Sequence, residues 1–230
     1  MTRILQAARL HLVHPAVILG IPWLVVAISF AINLAVFHLT PAGEEEGFSG
    51  GVLALYITVL VVFVQAVTQL LPFAMGMSIS RRAFYLGTAL VAAVQALVYG
   101  IAISALVAVE NATGGWGTGL DYWAPGIFEA GNPVLQVLYS GAPMLALMFV
   151  GIGMGVVHQR WGQAGTWGLI IGSLVVFGGL SILITWLEAW GSVADWFTDQ
   201  SATTLAVGLP VALAAAAALA AYPGIRRVVP

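Results

Sequence analysis

Residues 52–77 read VLALYITVLVVFVQAVTQLLPFAMGM, with no Asp, Glu, Lys or Arg anywhere in the run. A hydrocarbon layer about 30 Å thick needs roughly 20 apolar residues as a helix. A run this long and uncharged predicts a membrane span, since strands and core helices of soluble domains are shorter or carry a polar face. The same reading outward along the chain finds uncharged runs at 16–37, 86–109, 134–157, 165–187 and 203–222. The expected fold class is therefore an all-α membrane protein with six transmembrane helices.

Composition agrees. Of 230 residues, 61% are hydrophobic and 7% charged. A soluble domain carries about 25% charged residues, so most soluble folds are excluded for want of a water-facing surface. Disorder is excluded by the hydrophobicity itself. Residues 1–14 stand apart. Arg3, Gln6 and Arg9 oppose Leu5, Ala8 and Leu12, which predicts an amphipathic helix lying on the inner membrane surface. Residues 15–230 are expected to form one six-helix domain. The first span is longer than the roughly 7–15 residue core of a signal peptide, and it is expected to remain as an anchor.

The few charges are distributed with a clear bias. Arg3 and Arg9 precede the first span, Arg81 and Arg82 lie between the second and third, Arg160 between the fourth and fifth, and Arg226 and Arg227 after the sixth. Glu44, Glu45, Glu46, Glu110, Asp121, Glu129, Glu188, Asp195 and Asp199 all fall in the alternate links. Basic links face the cytoplasm, which predicts cytoplasmic amino and carboxyl termini in a plasma membrane. The absence of Lys, with heavy use of Ala, Val and Gly, suggests a bacterial inner membrane. The cytoplasmic links, 78–85 and 158–164, are short. The external links, 112–133 and 188–202, are longer, and the second alternates apolar and acidic residues at a spacing that fits either short helices or a solvated loop. Trp23, Trp161, Trp167, Trp186 and Trp190 lie near span ends, where indole rings anchor at the headgroups.

Whole classes of chemistry are absent. Without Lys there is no P-loop lysine and no Schiff base, and without Cys no thiolate site or disulfide. No His, Asp or Glu falls inside an expected span, which removes intramembrane proteases, bis-histidine haem and mid-membrane proton relays. The chain is not expected to be an enzyme, to hold a metal or cofactor, or to bind nucleic acid. The polarity left within the spans is neutral. Gln65, Thr68 and Gln69 share one helix face, and Asn33, Gln95 and Tyr99 lie in the first and third spans. These six either line a pathway or join helices. Gly151 to Gly155 and Gly168 to Gly172 are GxxxG spacings suited to close helix packing.

The most specific stretch is LPFAMGMSISRRAFYLGT, residues 71–88. It resembles the small permease subunits of type-2 ABC exporters, whose corresponding segment runs through a proline with an aromatic, a glycine, Ser-Arg-Arg, an aromatic pair and Gly-Thr. The link at Arg160, Trp161, Gly162 and Gly165 is similar to the same family's Arg-aromatic-Gly turn. The resemblance implies that Ser80, Arg81, Arg82, Ala83, Phe84 and Tyr85 form a coupling helix docked in a groove of a separate ABC ATPase subunit, with Arg160 and Trp161 on a second cytoplasmic loop. It implies that ATP and Mg bind on that partner. It also implies a second permease copy or paralogue, re-entrant helices in 188–202, and export of a hydrophobic or amphipathic substrate such as a drug, lipid or peptide. A reading from another class is a non-transporting membrane scaffold or sensor subunit. A gradient-driven carrier is disfavoured by the missing intramembrane acids.

Overall fold

The structure, a computed structural model, describes residues 3–13, 15–40 and 47–228. His14, Glu44, Glu45 and Glu46 lie outside the described residues. Helices dominate: α1 Arg3–His11, α2 Ile21–Leu39, α3 Leu53–Gly76, α4 Arg81–Ala112, α5 Pro133–Trp186, α6 Trp190–Asp199 and α7 Leu209–Arg226. Two short strands, β1 Gly47–Phe48 and β2 Leu120–Asp121, pair in parallel. Among the described residues, five helical segments are long and apolar enough to cross a membrane. The protein is all-α, with the helices of a membrane-embedded chain.

Where a seven-residue link was expected at 158–164, α5 continues as helix and is broken at one residue. Gly162 takes φ 62° and ψ −150°, a conformation open essentially to glycine alone. Eight residues of unbroken helix span about 12 Å. Here a Cβ on Gly165 would sit 3.2 Å from the Val157 carbonyl, so the chain folds back on itself. The Thr166 hydroxyl donates to the Gly162 carbonyl and pairs with His158 Nδ1 at 3.0 Å, pinning the bend. Each arm, 133–161 and 163–186, is longer than 30 Å by the helical rise of about 1.5 Å per residue.

The first arm of α5 is the centre of the bundle. A Cβ on Gly151 would lie 2.5 Å from the Leu60 carbonyl, and one on Gly155 would lie 2.7 Å from Val67 Cβ. The first GxxxG therefore brings α3 against α5, with Phe63, Met148 and Ile152 sealed between them. The second GxxxG does not pack within the chain. Gly168 and Gly172 face open space, and Leu174, Val175, Phe177 and Ile182 around them are exposed.

Prolines explain several polar contacts. Pro22 has no N–H for the Ile18 carbonyl four residues earlier, and Gln95 Nε2 donates to that carbonyl at 3.2 Å. Tyr99 donates to the next carbonyl, Leu19, at 2.9 Å. Both carbonyls belong to the π turn Ala16–Gly20 that opens the first span. Pro72 likewise leaves the Thr68 carbonyl free, and Gln159 Nε2 of α5 donates to it. Neighbouring helices thus supply the hydrogen bonds that a helix in lipid must find internally.

At the opposite end of the bundle from the arginines, the expected external link 112–133 is a packed cap. Gly114, Gly115, Gly117 and Gly119 turn it through positive φ. Tyr122 and Trp123 are buried and join Phe30 and Trp23 in an aromatic cluster, with Phe30 at 5.1 Å from Tyr122 and 5.5 Å from Trp123. Glu110, expected in a link, lies in the last turn of α4, almost fully buried. Its carboxylate accepts from Trp116 Nε1 at 3.0 Å, Tyr122 N at 3.1 Å and Trp123 N at 3.2 Å. Three donors replace the water this carboxylate loses. Trp23 belongs to this cluster, whereas Trp161, Trp167, Trp186 and Trp190 are exposed. Residues 190–199 of the second long link form α6, an exposed helix.

Candidate functional site

The arginines gather where α3 ends and α4 begins. Helix α3 closes with a reverse turn: Ser78 N donates to Met75 O at 3.0 Å and Ile79 N to Ala74 O at 3.0 Å. This is a Schellman arrangement with Ser78, at φ 61°, where glycine is usual. Two residues later Ser80 caps α4, its Oγ accepting from Ala83 N at 3.2 Å. Nothing after Ser80 stops the helix until Thr113, so Arg81 to Tyr85 are the first turns of the long α4. The separate short helix expected over Ser80 to Tyr85 is replaced by this capped, tight turn.

The expected presentation of Phe84 and Tyr85 to a partner is also corrected. Both are buried, as is Ala83. The Tyr85 hydroxyl donates to Ala218 O of α7 at 2.7 Å, and its ring lies 5.4 Å from Tyr222. Phe84 lies under α1, 5.9 Å from the His11 ring. The large apolar side chains left exposed here are different: Phe73 on the last turn of α3 and Met77, which caps it. Sequence spacing could not distinguish these two sets, because α1 and α7 approach α4 from distant parts of the chain.

Arg81 and Arg82 share a notch of 500 Å3 with Arg226 from the end of α7, floored by Met75 and Ile79 and edged by Ser78 and Ser80. The buried Nε of Arg81 has no hydrogen-bond partner. No acidic residue occupies the first turn of α4. Two guanidinium groups at a helix amino terminus oppose the positive end of its dipole, about 0.3–1 kcal/mol each when exposed. The chain supplies no counter-charge to this notch among its lining residues. Arg226 was legible only as a topology marker, and its place beside Arg81 follows from the packing of α7 on α4.

Helix α1 docks onto the same turns. A Cβ on Gly87 would lie 2.8 Å from Ala8 N and 3.0 Å from Ile4 O, so the two backbones meet there. His11 is 1% exposed. Thr88 donates its hydroxyl proton to Phe84 O at 3.0 Å and so accepts from His11 Nε2 at 2.9 Å. That assigns the proton of the neutral ring to Nε2 and leaves Nδ1 buried without a partner. Charging the ring would bury an unpaired N–H, and burial holds its pKa down to about 4. A depressed pKa means docking at full strength above the ordinary value near 6.5, weakening as pH falls from there and levelling below about 4. The full loss is on the order of 3 kcal/mol. Protection of residues 4–11 against hydrogen exchange, taken relative to the intrinsic exchange rate at each pH, is expected to fall between pH 6.5 and 4 in the native protein and to lose that dependence in His11→Phe.

The six neutral residues divide. Gln95 and Tyr99 hold the π turn of the first span. Asn33 donates to Ser29 O at 2.8 Å and accepts from Ser49 Oγ at 2.6 Å, a local clasp above Gly51. Thr68 donates to Gln65 O at 3.2 Å. Gln65 and Gln69 differ: both are exposed on α3 and line a 100 Å3 hollow together with His11 and Leu10 of α1. Arg160 stacks over Trp161, 4.4 Å from the ring centroid, just before the Gly162 bend. Among the described residues no cluster of His, Asp or Glu is suited to a metal. No family model, curated protein or solved structure matches the chain.

Proposed function

We propose that this chain is the transmembrane permease subunit of an ATP-driven exporter of the type-2 ABC class, with ATP and Mg bound on separate ATPase subunits. The observation that carries the proposal is the uncompensated notch of Arg81, Arg82 and Arg226 at the start of α4. A partner bearing carboxylates there would neutralise three guanidinium groups and complement the helix dipole. Phe73 and Met77, exposed at the end of α3, are apolar anchors available to such a partner. The capped turn Ser78–Ser80 joins two long helices without slack, so a push on the notch moves α3 and α4 together. Docked α1 lies across the same turns.

On this reading the two arms of α5 on either side of Gly162 are separate spans, six in all, and the distribution of arginines assigns both termini to the cytoplasmic side of a bacterial inner membrane. The largely exposed apolar arm 163–186 favours a second permease copy or paralogue, whose helix would cover Gly168 and Gly172. Cargo is expected to be hydrophobic or amphipathic, since the spans offer no charged pathway. Replacing Arg81, Arg82 and Arg226 together with Ala is expected to lower substrate-stimulated ATP hydrolysis of the reconstituted complex by at least about tenfold, with unchanged membrane insertion. Unaltered hydrolysis would overturn the coupling role.

A further inference from the structure

A groove of 480 Å3 runs between α1 and α4 at the arginine end. Leu5 and Leu12 form one wall, and Leu90, Val94 and Val98 the other. All five are exposed. From Leu90 to Val98 the groove extends about 12 Å along α4. Its volume is about three times that of the 150 Å3 apolar cavity that takes benzene. One charged residue lines it: Arg9, exposed on α1. Among the described residues Arg9 has no hydrogen-bond or ion-pair partner. The polar side chains on the floor, Gln95 and Tyr99, are already engaged with the Ile18 and Leu19 carbonyls. The groove is thus an apolar trough with one free cation in its lining.

We propose that this groove binds one acidic phospholipid of the leaflet at the arginine end. Its phosphate pairs with Arg9, and one acyl chain lies along Leu90, Val94 and Val98. Charge complementarity selects the acidic headgroup, because a guanidinium pairs with phosphate oxygens through two parallel hydrogen bonds. The trough is too apolar to favour a solvated occupant, and its wall residues Leu5, Leu12, Leu90, Val94 and Val98 are left exposed by the described chain. Seated there, the lipid fills the wedge between α1 and α4 and supports the docking that Gly87 and His11 make possible. The inference rests on the chain being membrane-embedded and is independent of ATP coupling.

The test uses the full chain in phosphatidylcholine vesicles with a trace of phosphatidylglycerol carrying a photoreactive diazirine on one acyl chain. Adducts are mapped by peptide mass spectrometry. They are expected to concentrate in residues 3–13 and 90–99. Unlabelled phosphatidylglycerol should displace the probe about fivefold better than phosphatidylcholine, the factor one basic residue near an anionic surface supplies. Arg9→Gln should erase that preference, and Val94→Trp, which fills the trough, should remove the adducts in 90–99. Equal displacement by the two lipids in the native chain would overturn the proposal. So would a preference retained by Arg9→Gln, adducts persisting in Val94→Trp, or labels spread evenly over α2, α3 and α7. Displacement by glycerol phosphate alone would assign Arg9 to a soluble anion and overturn it equally.

Discussion

Gly151→Val is expected to lower the thermal midpoint of the purified protein by about 10 °C. The nearest obstacle to a Cβ at this site is the Leu60 carbonyl at 2.5 Å, with Phe63 Cβ at 3.3 Å behind it. A backbone atom cannot rotate away as a side chain can, so α3 and α5 must part. Overpacking costs about 1–3 kcal/mol where side chains can adjust, and the upper end or more applies here. Separation also opens contacts of Phe63, Met148 and Ile152, all fully buried. Gly153→Val provides the matched control. It lies on the same helix and carries the same propensity penalty, but its Cβ meets open space. A melting point for Gly151→Val equal to that of Gly153→Val would contradict close packing of α3 on α5.

Gly87→Val is expected to undock α1 while leaving the bundle folded. Its Cβ would meet Ala8 N at 2.8 Å and Ala7 Cβ at 2.9 Å, so α1 must lift off α4 and expose His11. Hydrogen exchange across residues 4–11 should accelerate about thirty- to hundredfold, the equivalent of about 2–3 kcal/mol. The thermal midpoint of the bundle should move little, because the α3, α4 and α5 core does not include α1. The pH dependence described for His11 should vanish as well, since an exposed ring titrates alike in both states. Unchanged exchange in residues 4–11 would show that Gly87 is not the contact point.

Much of the architecture is legible in the sequence because lipid imposes a simple rule. Long uncharged stretches have one stable use: those at 16–37, 86–109 and 134–157 fall within the apolar helical segments found, and those at 52–77 and 203–222 match such segments to one residue at one end. Helix ends are less legible. The start of α4 lies at Arg81, not residue 86, because Ser80 caps it and Arg81 and Arg82 tolerate a helix end in water. The bend in α5 needs one glycine with an unusual φ, and composition around 158–164 gives no means to choose Gly162 from Gly165. The packed cap at 112–133 was hidden for a different reason. Its glycines and aromatics look like a loop until Trp123 is set against Trp23 and Phe30, a hundred residues away in the chain. Gln95 and Gln159, by contrast, were recoverable in principle. Each answers a carbonyl that Pro22 or Pro72 leaves free, and a proline inside a span announces that such a donor is needed.

The candidate site was legible in its charges and illegible in its geometry. Arg81 and Arg82 stood out by position, whereas Phe84 and Tyr85 could not be recognised as buried without knowing that α1 and α7 converge on them. Arg226 reached the notch only through the fold.

The central claim is that a separate ATPase acts on the arginine notch. The most direct measurement is affinity purification of the tagged full chain from its native membrane, followed by identification and quantification of what accompanies it. The account predicts a Walker-motif ATPase in equal molar amount with the chain, lost when Arg81, Arg82 and Arg226 are replaced by Ala. A chain that purifies without any such ATPase, or keeps it undiminished in the triple replacement, would contradict the account.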